Sequence, residues 1–217
     1  RPDVARQVRA EHGPARVVTA ANCFAHIEDV HAIVEGIVDL LSPNGVFVSE
    51  SHYLIGLIDR LQYDTIYHEH LRYYSLRSLK YLLEMHGLEV IHAHDIPTHG
   101  GSIRVFAARK GAYPVRPSVA AMLATEPSGT DMRTRLKKFR QDTMLSKLRL
   151  LAMLRDVKDK GARICGISAP SRASTLVNYV GLDDAIVDSV FEINGSLKIG
   201  KYLPGTLIPA VEESRLF

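Results

Sequence analysis

The sequence has little cysteine, no concentration of charge of one sign, and no long apolar run. Cysteine occurs only at Cys23 and Cys165 in 217 residues. The two form no CxxC unit and no zinc ligand set. Each sits in an apolar stretch, which predicts a reduced, buried thiol in a cytoplasmic protein. The net charge is +3, with Lys and Arg spread along the chain. That excludes the concentrated basic face of a nucleic-acid binder. No apolar run approaches the roughly 20 residues that span a bilayer, so no membrane partner is expected. Internal repeats and low-complexity tracts are missing too. The chain opens Arg1-Pro2-Asp3, without Met or a signal-like stretch, which predicts a piece cut from a longer protein. Leu216-Phe217 reads as a possible second cut.

What is present suits a globular protein. Apolar residues make up 46% and charged residues 24%, enough for a sizeable core in one large domain or two small ones. Arg16 to Ala20 is a β-branched run fit for a buried strand. Val30, Ile33, Val34, Ile37, Val38 and Leu41 lay one apolar stripe along a helix. Ser42-Pro43-Asn44-Gly45 reads as a turn, and Val46 to Val48 as the next strand. Ser75 is placed to cap a helix carrying Leu76, Leu79, Leu82 and Leu83, stopped by Gly87. Two strands follow, near 88–93 and 102–108. This order predicts the C-terminal half of an α/β sheet closed by an antiparallel pair, filling residues 1–110.

Residues 111–160 read as a linker with three prolines, then a long amphipathic helix from about Thr130 to Lys160. The basic residues of that helix are taken as a solvated face. Residues 161–217 read as a second small α/β domain. It has a strand at 163–167, a loop at 168–172, a helix at 173–179 stopped by Gly181, and a strand at 185–188.

Chemistry concentrates at Tyr67-His68-Glu69-His70. Imidazole is the side chain best suited to moving a proton at neutral pH. In an extended loop alternate side chains share a side, so His68 and His70 diverge from Tyr67 and Glu69. One imidazole can serve as general base, or the four residues can simply hydrogen-bond a loop to the sheet. A metal reading also exists, although the helical His-Glu-x-x-His pattern is missing. Asn22 and His26 follow the first strand, at the edge where open α/β sheets hold ligands; either can instead cap the following helix. In the second domain, Ser168, Ser171 and Arg172 precede a helix start and form a weak anion-site pattern. Lys198 and Lys201 could add charge there.

Four segments carry a resemblance. Asn22-Cys23-Phe24-Ala25-His26, Tyr67-His68-Glu69-His70, Gly100-Gly101-Ser102-Ile103-Arg104 and Lys201-Tyr202-Leu203-Pro204-Gly205-Thr206 occur in order over most of the chain. Together they resemble the S-adenosylmethionine-dependent C-methyltransferases of nucleotide-linked deoxysugars. The resemblance implies an α/β fold with the C-terminal half of a Rossmann-like methyltransferase sheet, a long helix and a second small α/β domain. It implies S-adenosylmethionine as cofactor, with Asn22, Cys23 and Phe24 on its edge and most of its binding loop missing. Zinc belongs to a family domain whose four cysteines this sequence lacks. The implied substrate is a nucleotide-linked 4-keto-6-deoxysugar, held by Ser168, Ser171, Arg172 and Lys201. His70 would remove the proton beside the ketone, His26 and Tyr67 would stabilise the enolate oxygen or order the sugar, and Glu69 would bind the sugar or orient a neighbour. A binding-only methyltransferase-like domain and a metal-dependent hydrolase or isomerase are the alternatives.

Overall fold

The computed structural model describes residues 2–216, which form two compact units. Of the described residues, the first comprises 2–60 and 68–134, the second 61–67 and 135–216.

In the first unit, α1 (Pro2–His12) leads into β1 (Ala15–Ala21). Asp29 then starts α2 (Val30–Leu40) by accepting the Ala32 N–H at 3.0 Å. β2 (Leu41–His52) follows, then the short α3 (Leu54–Asp59), α4 (Leu76–Glu84), β3 (Leu88–Ile96), β4 (Ser102–Arg109) and α5 (Pro117–Thr125). Ser75 caps α4 in a reciprocal box with Ser78, as the sequence suggests. The sheet order is β1-β2-β4-β3, with β1 and β2 parallel and β4 antiparallel to both neighbours. The fold is therefore α/β with a mixed sheet. One sheet face is packed by Phe24, Val34, Leu76, Leu79 and Leu83 against Phe47, Val90, Ile103 and Val105. The opposite face carries the row Glu50, Arg104 and His94, which are register partners across three strands.

Ser42 to Gly45 is not the expected free turn. It lies inside β2, where the register with β1 jumps from Ala15↔Leu41 to Val17↔Val46. The extra residues bulge out of the ladder while Leu41 stays fully buried. Gly45 is needed there, because a Cβ would lie 2.8 Å from the Ala15 carbonyl oxygen and 2.8 Å from Leu41 Cδ2. Gly45→Ala is expected to cost about 1–3 kcal/mol, as overpacking does, measured by urea denaturation.

The linker reading at 111–129 is also corrected. Pro117 takes the first position of α5, where its missing N–H costs nothing, and Val119 is buried in the core. Both cysteines are exposed rather than buried. Cys23 stands in the loop after β1. Cys165 lies on an edge strand whose exposure alternates, with Gly166 half-buried between exposed Cys165 and Ile167.

The long helix α6 (Gly129–Lys158) begins in the first unit and ends in the second. The second unit continues with β5 (Cys165–Ile167), α7 (Ala173–Val180), β6 (Ser189–Glu192) and β7 (Ala210–Glu212), all strands parallel in the order β5-β6-β7. Val177, Val180, Val190 and Ile208 form its core, with Leu150, Leu151 and Leu154 packed on it. The strand expected at 185–188 starts instead at Ser189. Asp183 holds the preceding stretch in a turn, accepting from Ala185 N on its side chain and from Val187 N on its carbonyl. Among the described residues, no helix is long and apolar enough to cross a membrane.

Candidate active site

The site is built from two loops of the first unit that are stapled together. One follows β1, at the carboxyl end of the parallel pair. Asn22 there adopts φ 53° and donates its N–H to the Glu50 carbonyl at 2.9 Å. The chain can then drop Phe24 into the core, against Phe47 and Tyr74. The other loop precedes α4. Its Leu71 N–H donates to the Ala25 carbonyl at 2.8 Å, and Arg72 donates to the carbonyls of Ile27 and Glu28. These are backbone acceptors, so the pairing fixes loop position whatever the pH.

Between the staples stand two imidazoles. The rings of His26 and His70 are 4.9 Å apart, edge to face at 64°. Tyr73 also packs against His70, at 5.9 Å between centroids. His26 Nδ1 lies 2.8 Å from the Glu69 carbonyl oxygen. A carbonyl only accepts, so Nδ1 carries the hydrogen and Nε2 is left to act. His70 is half-buried and its Nδ1 is shielded from solvent. Among the predicted residues, His26, Glu69 and His70 thus come together. Tyr67 belongs to the segment that packs with the second unit. Asn22 and Cys23 face outward at the loop start, while Phe24 is fully buried and supports the loop from below. His68 is exposed and lies 4.0 Å from the Glu69 carboxylate, a contact of little energetic weight.

Sequence reasoning missed two groups beside this loop pair. Glu50 takes a two-point contact from Arg104, at 3.2 and 2.8 Å, and a bond from Thr98. Arg104 first, and burial in opposition, leave the Glu50 carboxyl below the usual carboxylate range. The signal was present, since Arg104 closes the Gly100–Arg104 segment. Glu126 was hidden in the supposed linker. Its buried carboxylate accepts the Leu76 and Arg77 N–H groups at the start of α4 and the Tyr53 hydroxyl at 3.0 Å. Burial, then the Glu126 charge, push the Tyr53 phenol far above its ordinary value, so it stays a donor.

In the second unit several donors of the loop before α7 are engaged within the unit. Glu192, buried, accepts the Ala169 N–H at 2.5 Å and Lys198 at 3.3 Å. That N–H, ahead of Lys198, holds the Glu192 carboxyl low. Arg172 pairs with Asp64 at 3.5 Å. Ser168 has φ 66° and gives its N–H to Phe191, Ser171 is exposed, and Lys201 is exposed with its carbonyl taken by Ala210 N–H. Glu192 and Asp64 thus each take a donor of this loop, the Ala169 N–H and the Arg172 guanidinium. Among the described residues, no group of three His, Cys, Asp or Glu is placed to hold a metal.

Paired imidazoles past a parallel strand suit proton-transfer chemistry. Residues 2–93 match the family described as methyltransferase domain, and residues 97–217 match C-methyltransferase C-terminal domain. The chain belongs to the C-methyltransferase family. It is 40% identical over 209 residues to C-methyltransferase NovU of Streptomyces niveus, covering 95% of this chain and 50% of that one. The chain thus spans about half the length of this curated relative. Weaker likenesses link it to solved structures. Magnesium protoporphyrin IX methyltransferase (ChlM) from Synechocystis, with bound SAH, has a TM-score of 0.36 at 13% identity, covering 45% of this chain and 46% of that one. A SAM-dependent methyltransferase from Anabaena variabilis scores 0.38 at 14%, covering 50% and 55%.

Proposed function

We propose that this chain is the catalytic-base half of an S-adenosylmethionine-dependent C-methyltransferase whose substrate is a nucleotide-linked 4-keto-6-deoxysugar. The observation that carries this reading is the His26–His70 pair, stapled between the loop after β1 and the loop before α4. Membership of the C-methyltransferase family supports the reaction class.

The residues fit one edge of the methyl donor. Asn22, in left-handed backbone, and exposed Cys23 offer a polar rim at the strand end. No glycine-rich strand–turn–helix cradle occurs among the described elements. When bound, the donor supplies an electrophilic methyl group. The chain's own part is the proton. A ketone acidifies the adjacent C–H, and His70, as the neutral imidazole, takes that proton. The charge moves to the ketone oxygen, forming an enolate. His26 has Nδ1 committed to the Glu69 carbonyl, so it meets that oxygen through Nε2–H, as the imidazolium. Fixed donors aimed at a developing oxyanion contribute about 3–4 kcal/mol in comparable sites. The Glu69 carboxylate, half-exposed, is left for a sugar hydroxyl.

The test is incubation of the full-length protein with S-adenosylmethionine and nucleotide 4-keto-6-deoxysugars. The expected product gains a methyl group on the carbon beside the ketone and loses the hydrogen once held there. Methylation on oxygen or nitrogen, with that C–H retained, overturns the reading.

A further inference from the structure

Within the second unit a groove of about 870 Å³ runs beside α6 and α7. This volume is in the range of small-molecule sites. It lies apart from the loop before α7, and nothing in the chemistry above uses it.

One end of the groove is aromatic. Tyr63 and Tyr179 stand 5.4 Å apart between ring centroids, tilted at 58°. Tyr63 is buried, while Tyr179 is 40% exposed. Lys147 anchors Tyr179 by donating to its carbonyl at 2.8 Å, with Nζ 5.4 Å from the ring centroid. Ile66 and Met144 add exposed apolar surface beside the rings. A planar heterocycle finds a stacking surface there at little cost in side-chain freedom.

The other wall is cationic. Lys137, Arg140, Gln141 and Met144 all line the groove. Their spacing of i, i+3, i+4 and i+7 places them on one stripe of α6. Neither Lys137 nor Arg140 is in an ion pair among the described residues. Lys138, the neighbour on a different face, is paired with Asp142. Among the described residues, no carboxylate lines the groove. An aromatic platform beside two uncompensated cations matches a base joined to a short, multiply charged phosphate chain.

We infer that this groove binds the nucleoside diphosphate portion of the sugar nucleotide, with Tyr179 under the base and Lys137 and Arg140 on the phosphates. The assignment rests on the proposed substrate class and gives that class a place. Ile66, on the groove wall, stands four residues ahead of His70 in the chain.

The test is equilibrium binding of UDP, thymidine diphosphate and GDP to the protein, followed by calorimetry at two salt concentrations. At least one of them is expected to bind, more weakly at higher salt. The double variant Lys137→Ala/Arg140→Ala is expected to weaken binding about ten- to hundredfold, the range for lost hydrogen bonds to charged groups. Tyr179→Ala should weaken nucleotide binding about tenfold and leave inorganic diphosphate binding unchanged. Arg172→Ala should change little. Circular dichroism checks that each variant is folded. The assignment is overturned if no nucleoside diphosphate binds, if the Lys137/Arg140 variant binds normally, or if Arg172→Ala alone abolishes binding. These unreactive probes separate the two claims. Groove binding without C-methylation would remove the proposed reaction alone, and C-methylation unaffected by the groove variants would remove this site alone.

Discussion

His70→Ala is expected to lower the exchange of the hydrogen beside the substrate ketone with solvent deuterium by about 10²–10⁴-fold, the usual contribution of a positioned general base. Exchange reads proton removal directly and needs no methyl transfer. The effect belongs to one ring, because the staples to Ala25, Ile27 and Glu28 come from Leu71 and Arg72 and survive the substitution. His26→Ala should slow the same exchange less, since it removes a donor from the enolate and leaves the base in place. His26→Gln should recover part of that loss if the hydrogen bond outweighs the charge. Exchange at a near-normal rate in His70→Ala would dismiss residue 70 as the base, whatever happened to methylation.

Glu126→Ala is expected to destabilise the first unit by about 3–5 kcal/mol. Three donors converge on this carboxylate; the Leu76 N–H would be orphaned in a buried place and the Tyr53 hydroxyl and Arg77 N–H in part-buried ones. Leaving a buried donor unsatisfied costs about 1–3 kcal/mol, with some relief from water entering the new space. Two of the donors are the first amides of α4, so the carboxylate also loses a favourable place at the positive end of the helix. Glu126→Gln keeps an acceptor of the same shape and should cost less than half as much. Chemical denaturation measures the difference, and hydrogen exchange at Leu76 and Arg77 locates it. A normal denaturation midpoint for the alanine variant would show that Glu126 does not hold the start of α4.

The sequence made visible what depends on local periodicity. The stripe from Val30 to Val38, the Ser75 cap and the succession of the first four strands along the chain were all legible, because each follows from residues a turn or a pleat apart. The His26–His70 proximity was suggested only through the ordered segments that mark the resemblance. It depends on carbonyls 43 to 45 positions away accepting bonds from another loop, and no spacing rule reports that. Glu126 escaped because a carboxylate in a proline-containing stretch looks like solvent-facing linker until α4 is known to start against it. The Ser42–Gly45 stretch misled for the opposite reason. Its residues are turn formers, and the neighbouring strand drew them into a ladder. The exposed thiols failed as inferences because an apolar run says which residues are hydrophobic, not which side of the strand is covered.

The chain passes from one compact unit to the other at three junctions, after Arg60, after Tyr67 and after Thr134. The chain therefore crosses between the two units more than once. Cutting the gene after Thr134 would strand Tyr63 and Thr65, both buried in the intact fold, on a short excursion with nothing left to cover it. The loop bearing His70 begins where that excursion returns, so a cut after Thr134 also alters the segment that leads into it.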